Sequence, residues 1–265
     1  MDPKTTLMKK SIFLLIISLF FLHPFTGEAN PMGKTWVVFI QNTNYLSLST
    51  LAGAQKDVSL MKEALSSYQI DKIIIKQDLK KGEMQKFFSA DLPALLKENG
   101  VNSLLIWYSG HGKFINETGY WIPVDAQRDD EATYYRMESL KKDLERMVDH
   151  LQHVLVVTDA CESGPTFFQA MRSIPTKPVC DDPVAAKKRS YQLFSASGYN
   201  LANEESLFAR TIAGALSDNP KPCIPVQEVV KKVTITLMRN HLDRPQFGNI
   251  TGMDSEGGTF FFYKK

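Results

Sequence analysis

Residues 154–164 read VLVVTDACESG, and the fold follows from how this stretch is built. Val154, Leu155, Val156 and Val157 are apolar β-formers without the polar alternation of a half-exposed strand. They read as a strand covered on both faces, at the centre of a parallel sheet. The run closes on Thr158, Asp159, Ala160, Cys161, Glu162 and Ser163, and then on Gly164 and Pro165, a pair that turns the chain. Open α/β sheets bind ligands just beyond the carboxyl ends of their strands, and Cys161 stands at such an end. A free cysteine is commonly no more than a small buried hydrophobe, so a chemical role for it requires a second group.

Residues 104–112, LLIWYSGHG, repeat the plan: an apolar strand, small residues, then His111. Two parallel strands ending in His111 and Cys161 would set imidazole and thiol side by side on one sheet edge. The thiolate is the attacking form, and an adjacent imidazole lowers the thiol pKa or takes its proton. The same ring can then protonate the leaving amine. Gly110 and Gly112 bracket the histidine, and without side chains they let a substrate carbonyl approach the backbone. The amides of Gly112 and Cys161 are then the candidate donors to a developing oxyanion.

At these residues the chain resembles the caspase-like cysteine peptidases, and among them the metacaspase and bacterial orthocaspase branch. The animal caspase signature places its histidine about 50 residues before a Gln-Ala-Cys segment. Here Asp159-Ala160-Cys161-Glu162-Ser163-Gly164 has the D-x-C-x-S-G form of metacaspases, and His111 precedes Cys161 by 50 positions. Weaker likenesses are residues 42–45 and 53–57 (GAQKD) to the first strand–helix unit, 120–126 (YWIPVDA) to the segment after the histidine, and 194–197 to the fifth strand end.

The fold that resemblance implies is a caspase-like three-layer α/β sandwich. Its six-stranded, mainly parallel sheet ends in an antiparallel strand and carries helices on both faces. The implied activity is a cysteine endopeptidase acting through an acyl-enzyme on a polypeptide substrate. In metacaspases the Asp two before the cysteine, the Asp of a G-x-x-x-D stretch and the Ser two before the histidine form the pocket for Arg or Lys before the scissile bond. Those positions are Asp159, Asp57 and Ser109, and paired carboxylate hydrogen bonds suit a guanidinium. Animal caspases instead hold an aspartate with arginines, one of which falls where Ser49, Thr50 and Leu51 stand here. Two other readings are a catalytically silent caspase-like domain that binds peptides, and a peptidase of the same clan with another preference.

The chain opens with Lys9 and Lys10, an apolar run over 12–22 and small residues before Asn30, the build of a secretory signal peptide over 1–29. The run is short for a membrane span; an uncleaved N-terminal anchor is the alternative. Secretion or periplasmic export is therefore expected, with membrane contact only during export. The remaining residues, 30–265, suffice for one domain. Their 28 Lys and Arg against 27 Asp and Glu leave a net charge of +1, no signature of a nucleic-acid or membrane-surface partner. Of three cysteines, Cys180 and Cys223 lie in Pro-rich loop sequence and are the natural pair, bridged in an oxidising compartment and free in a reducing one. That leaves Cys161 unpaired.

Strands are expected at 36–41, 72–76, 191–196 and 259–263, and helices at 54–68, 82–99, 137–151, 206–216 and 226–238. Residues 113–135 read as a loop, and 165–189 as a long segment opening in a helical turn at 167–171. That segment offers Arg172 and Lys187-Lys188-Arg189 as candidate self-cleavage sites. His150 and His153 lack further ligands at zinc spacing and read as surface residues. No cofactor is required. Calcium assists several metacaspases, but the acidic loop of Asp125, Asp129, Asp130 and Glu131 has no EF-hand spacing. Asn116 and Asn249 fit the glycosylation sequon.

Overall fold

A computed structural model of the chain describes residues 30–160, 168–170, 180, 184–196 and 206–265. The first half contains β1 (Thr35–Gln41), α1 (Gly53–Leu65), β2 (Lys72–Gln77), α2 (Lys81–Lys86), α3 (Leu92–Glu98) and β3 (Ser103–Ser109). Next come β4 (Gly112–Ile115), β5 (Thr118–Trp121), β6 (Tyr135–Arg136), α4 (Met137–Glu145) and β7 (His153–Asp159). The second half adds β8 (Phe168–Ala170), β9 (Ser190–Ser195), α5 (Leu207–Ser217), β10 (Cys223–Pro225), α6 (Val226–Arg239), β11 (Gln246–Ile250) and β12 (Phe261–Tyr263).

The main sheet has the order β2-β1-β3-β7-β9-β11-β8. Its first five strands are parallel and β11 is antiparallel to β9, which makes the six-stranded sandwich sheet. Strict alternation along each central strand splits the core in two. Val37, Phe39, Leu105, Trp107, Leu155 and Val157 face α1, α5 and α6. Trp36, Val38, Ile40, Leu104, Ile106, Val154 and Val156 face α2, α3 and α4. A third, smaller cluster of Tyr45, Leu51, Ala54, Tyr120, Ile122, Val124 and Tyr134 joins the loops after β1 and β5 to the start of α1 and to β5 itself.

Several expectations are corrected. The antiparallel sixth strand is β11, not residues 259–263; β12 pairs instead with β10 in a separate two-stranded sheet. The sequence of β11, QFGNI, hides its strand behind a glycine and an asparagine. Residues 168–170 are extended rather than helical and add a short seventh strand against β11. The helix expected over 82–99 is interrupted by a π-turn at Phe87–Asp91, where the Leu92 amide bonds the Phe87 carbonyl just ahead of Pro93, which has no N–H to give. The loop at 113–135 contains a hairpin of β4 and β5, turned by Asn116 and Glu117 with φ of 46° and 61°. Two left-handed residues in sequence match the twist of a two-residue hairpin, but Asn-Glu is a weak signal for it. α4 stops at Glu145, short of 151. His153 is fully buried as the first residue of β7, not a surface residue.

Candidate active site

β3 and β7 run in register to their last residues, Ser109 opposite Asp159. His111 and Cys161 therefore each follow a matched pair by two positions. Cys161 itself lies outside the described residues, as do Arg172 and the region between residues 196 and 206.

His111 is buried, with 8% of its surface exposed. Its Nε2 lies 2.9 Å from the Ser49 carbonyl oxygen and 3.5 Å from the Ser49 hydroxyl. A carbonyl only accepts, so Nε2 carries the proton and Nδ1 is left with its lone pair. Burial pushes the imidazole pKa below its ordinary value, against a smaller upward pull from the Ser49 carbonyl. The ring is therefore neutral at neutral pH and able to accept a proton.

The backbone around the histidine is equally tied. The His111 amide donates to the Tyr45 hydroxyl at 2.7 Å, and the Ile122 amide donates to the His111 carbonyl at 3.0 Å. The Tyr108 hydroxyl lies 2.7 Å from the same carbonyl. A Cβ on Gly110 would fall 2.6 Å from the Tyr108 hydroxyl and 2.7 Å from that of Tyr45. Glycine is thus required at 110 to admit two phenols, and the space expected for a substrate carbonyl is filled by the protein. Gly112, the other candidate donor, opens β4 opposite Trp121. Trp121 stacks on Tyr108, with centroids 4.4 Å apart, and donates to the Thr158 hydroxyl, which docks the hairpin onto the ends of β3 and β7.

Asp57, Ser109 and Asp159, the three expected pocket residues, meet on the α1 and α5 side of the sheet. Asp57 is buried on α1, and its carboxylate accepts from the Ser109 hydroxyl at 3.2 Å. A fourth residue joins the carboxyl groups. Ser206, N-cap of α5, donates its amide to Asp57 at 2.7 Å and its hydroxyl to Asp159 at 2.5 Å, while accepting from the Ala209 amide. Burial first, and the Asp57 carboxylate second, push the Asp159 pKa up to about 8, against the downward pull of the Ser206 hydroxyl. An acid held this high gives up its proton when a cation arrives.

Three site residues escaped the sequence reading. Ser49 acts through its carbonyl, which leaves no side-chain signature. Tyr45 lies in a loop whose proximity to His111 is set only by the tertiary fold. Ser206 carried a signal, since serine before an amphipathic run is the usual N-cap, but the helix was expected to include it.

Cys180 and Cys223 are joined in a disulfide with Cα atoms 5.7 Å apart. His153 is remote from this chemistry: its Nδ1 lies 3.0 Å from the Ser190 hydroxyl, and burial pushes its pKa down to about 4. In the acidic loop, Asp125 accepts from the Lys81 amide, Asp129 pairs with Lys113, Asp130 caps a 3-10 turn and Glu131 accepts from Tyr120. No group of three or more potential metal ligands occurs among the described residues.

A parallel sheet with a neutral, buried histidine at one strand end, beside a strand that leads into Asp-Ala-Cys, defines a caspase-type sandwich. Residues 34–252 match the family model of the caspase domain, Peptidase C14, and the chain belongs to that family of cysteine peptidases. Among solved structures it is similar to the crystal structure of caspase-1 from Spodoptera frugiperda, with a TM-score of 0.59 and 12% identity over 85% of this chain and 90% of that one. At that identity the likeness is one of fold. Comparison with curated protein sequences found no match.

Proposed function

We propose that the protein is an exported cysteine endopeptidase of the metacaspase or orthocaspase type that cleaves after Arg or Lys. Cys161 attacks the scissile carbonyl as its thiol proton passes to Nδ1 of His111. The C–N bond of the tetrahedral adduct breaks as the ring returns that proton to the amine, leaving a thioester. Water, deprotonated by the same ring, then releases the acid and restores the thiol. The Gly112 and Cys161 amides are the proposed oxyanion donors. Residues 1–29 are the proposed signal peptide, cleaved before Asn30.

The observation that carries this reading is the convergence of Asp57, Ser109, Ser206 and Asp159 on the sheet edge that bears His111. Two carboxyl groups held together by Ser206 favour a cationic residue before the cut and disfavour an acidic one. A panel of fluorogenic peptides with Arg, Lys, Asn or Asp at that position, assayed with wild type and Cys161→Ala, tests it. Turnover confined to Arg and Lys peptides and lost in Cys161→Ala is expected. Turnover of the Asp peptide would refute the pocket, and no Cys161-dependent turnover would leave a silent binding domain.

A further inference from the structure

Resting on that reading, we infer that Tyr45 is a positioning residue for the catalytic histidine, holding His111 by its backbone amide and by the face of its ring at once. Three contacts converge on it. The Tyr45 hydroxyl accepts the His111 amide at 2.7 Å. The phenol ring packs against the imidazole, with centroids 4.5 Å apart and planes tilted by 57°. The hydroxyl also crowds Gly110, where no side chain other than hydrogen fits.

The loop that carries Tyr45 is itself anchored, so the clamp has something rigid behind it. Asp78 accepts from the Thr43 and Asn44 amides at 2.7 and 2.9 Å, the Leu46 amide donates to the Val124 carbonyl, and the Leu51 amide donates to the Thr43 carbonyl. The same loop brings Ser49, whose carbonyl takes the Nε2 proton. Tyr45 thus fixes where the ring sits, and Ser49 fixes which nitrogen keeps the lone pair. The described contacts of the Tyr45 hydroxyl and ring are with His111, Gly110 and Tyr108, at the histidine end of β3. Its loss should therefore act on the chemical step and leave substrate binding alone. Displacement of a catalytic group by about 1 Å costs on the order of a hundredfold in rate. The phenol is also part of what buries the imidazole, so removing the ring admits water and relaxes the depressed pKa.

The test uses Tyr45→Phe, which keeps the ring and loses the hydroxyl, and Tyr45→Leu, which loses both. Two quantities are read: kcat and KM on an Arg peptide, and the His111 pKa from its imidazole proton resonance, assigned by its absence in His111→Asn. Tyr45→Phe is expected to lower kcat about tenfold or more with KM within about twofold. Tyr45→Leu is expected to raise the His111 pKa toward its ordinary 6.5. Tyr45→Phe turnover within twofold of wild type, or a loss confined to KM, overturns the assignment. If wild type shows no Cys161-dependent turnover, the peptidase reading fails by itself and the clamp is judged on the resonance: an upward shift in Tyr45→Leu sustains it, and an unchanged value overturns it.

Discussion

Asp159 ties the proposed specificity to stability through a single carboxyl group. Its folded pKa of about 8 lies above the ordinary 3.8 because burial and the Asp57 carboxylate both disfavour the anion. Between about pH 4 and pH 8 the native protein keeps a proton that the unfolded chain has released, so stability falls as pH rises through that window. In Asp159→Asn that slope should flatten, and the variant should melt higher than wild type at pH 8 while the difference shrinks toward pH 4. In the proposed pocket the same substitution removes one of the two carboxyl groups that meet the substrate cation. A charge-assisted hydrogen bond worth about 1.5–3 kcal/mol corresponds to roughly 10- to 150-fold in kcat/KM on an Arg peptide. Thermal melts across pH, read beside the peptide kinetics, check both halves. At this scale the sequence was informative about side chains in a motif: Asp57, Ser109, His111 and Asp159, named from it, lie at one end of the sheet. It was silent about the Ser49 carbonyl, because every residue has one.

Elements turn the same logic into constraints on processing. The basic run Lys187-Lys188-Arg189 has exposed side chains, yet its backbone is held. The Lys187 amide donates to the Val184 carbonyl at 3.2 Å, and the Lys187 carbonyl accepts from Gln152. The Arg189 amide donates to Glu256 at 3.2 Å, and its carbonyl accepts from the Gly258 amide. A Cβ on Gly258 would lie 2.1 Å from the Lys188 carbonyl oxygen, so the two segments pack with no room to spare. A peptidase must draw several consecutive residues into an extended strand, and this backbone is not free to comply. We therefore propose that self-cleavage, if the chain processes itself, falls at Arg172 rather than in the tribasic run. The disulfide makes the choice visible, because Cys180 stays with Cys223 on the same fragment after a cut at 172. On the proposed export and self-cleavage, wild type should begin at Asn30 by intact mass, and its two pieces should separate on a gel without reductant. Pieces that stay joined until reductant is added would instead place the cut after residue 180. The helices and strands in this region were legible only in part. β8 is only three residues long and β11 is interrupted by a glycine and an asparagine, so both take their form from the sheet edge they complete.

For the whole molecule, the central strands dictated the architecture. Apolar runs such as LLIWY and VLVV have one stable home, between two helical layers, and each ends at the edge where His111 and the Asp-Ala-Cys segment follow. The register of β3 with β7 was not written in the sequence. It emerges from packing odd residues against α1 and α5 and even residues against α2, α3 and α4. The side chains that support the site come from distant parts of the chain: Tyr45 after β1, Trp121 on β5, Ser206 at the start of α5. No local pattern announces such partnerships, because they exist only once the layers close. The central claim is that the sulfur of Cys161 and Nδ1 of His111 act on one substrate presented by an acidic pocket. Its most direct measurement is the rate at which a peptide ending in an arginyl chloromethyl ketone alkylates the protein, followed by intact mass and peptide mapping. The account predicts one adduct per chain on Cys161, none in Cys161→Ala, and alkylation about a hundredfold slower in His111→Asn. Equal rates in wild type and His111→Asn, or an adduct elsewhere, would contradict it.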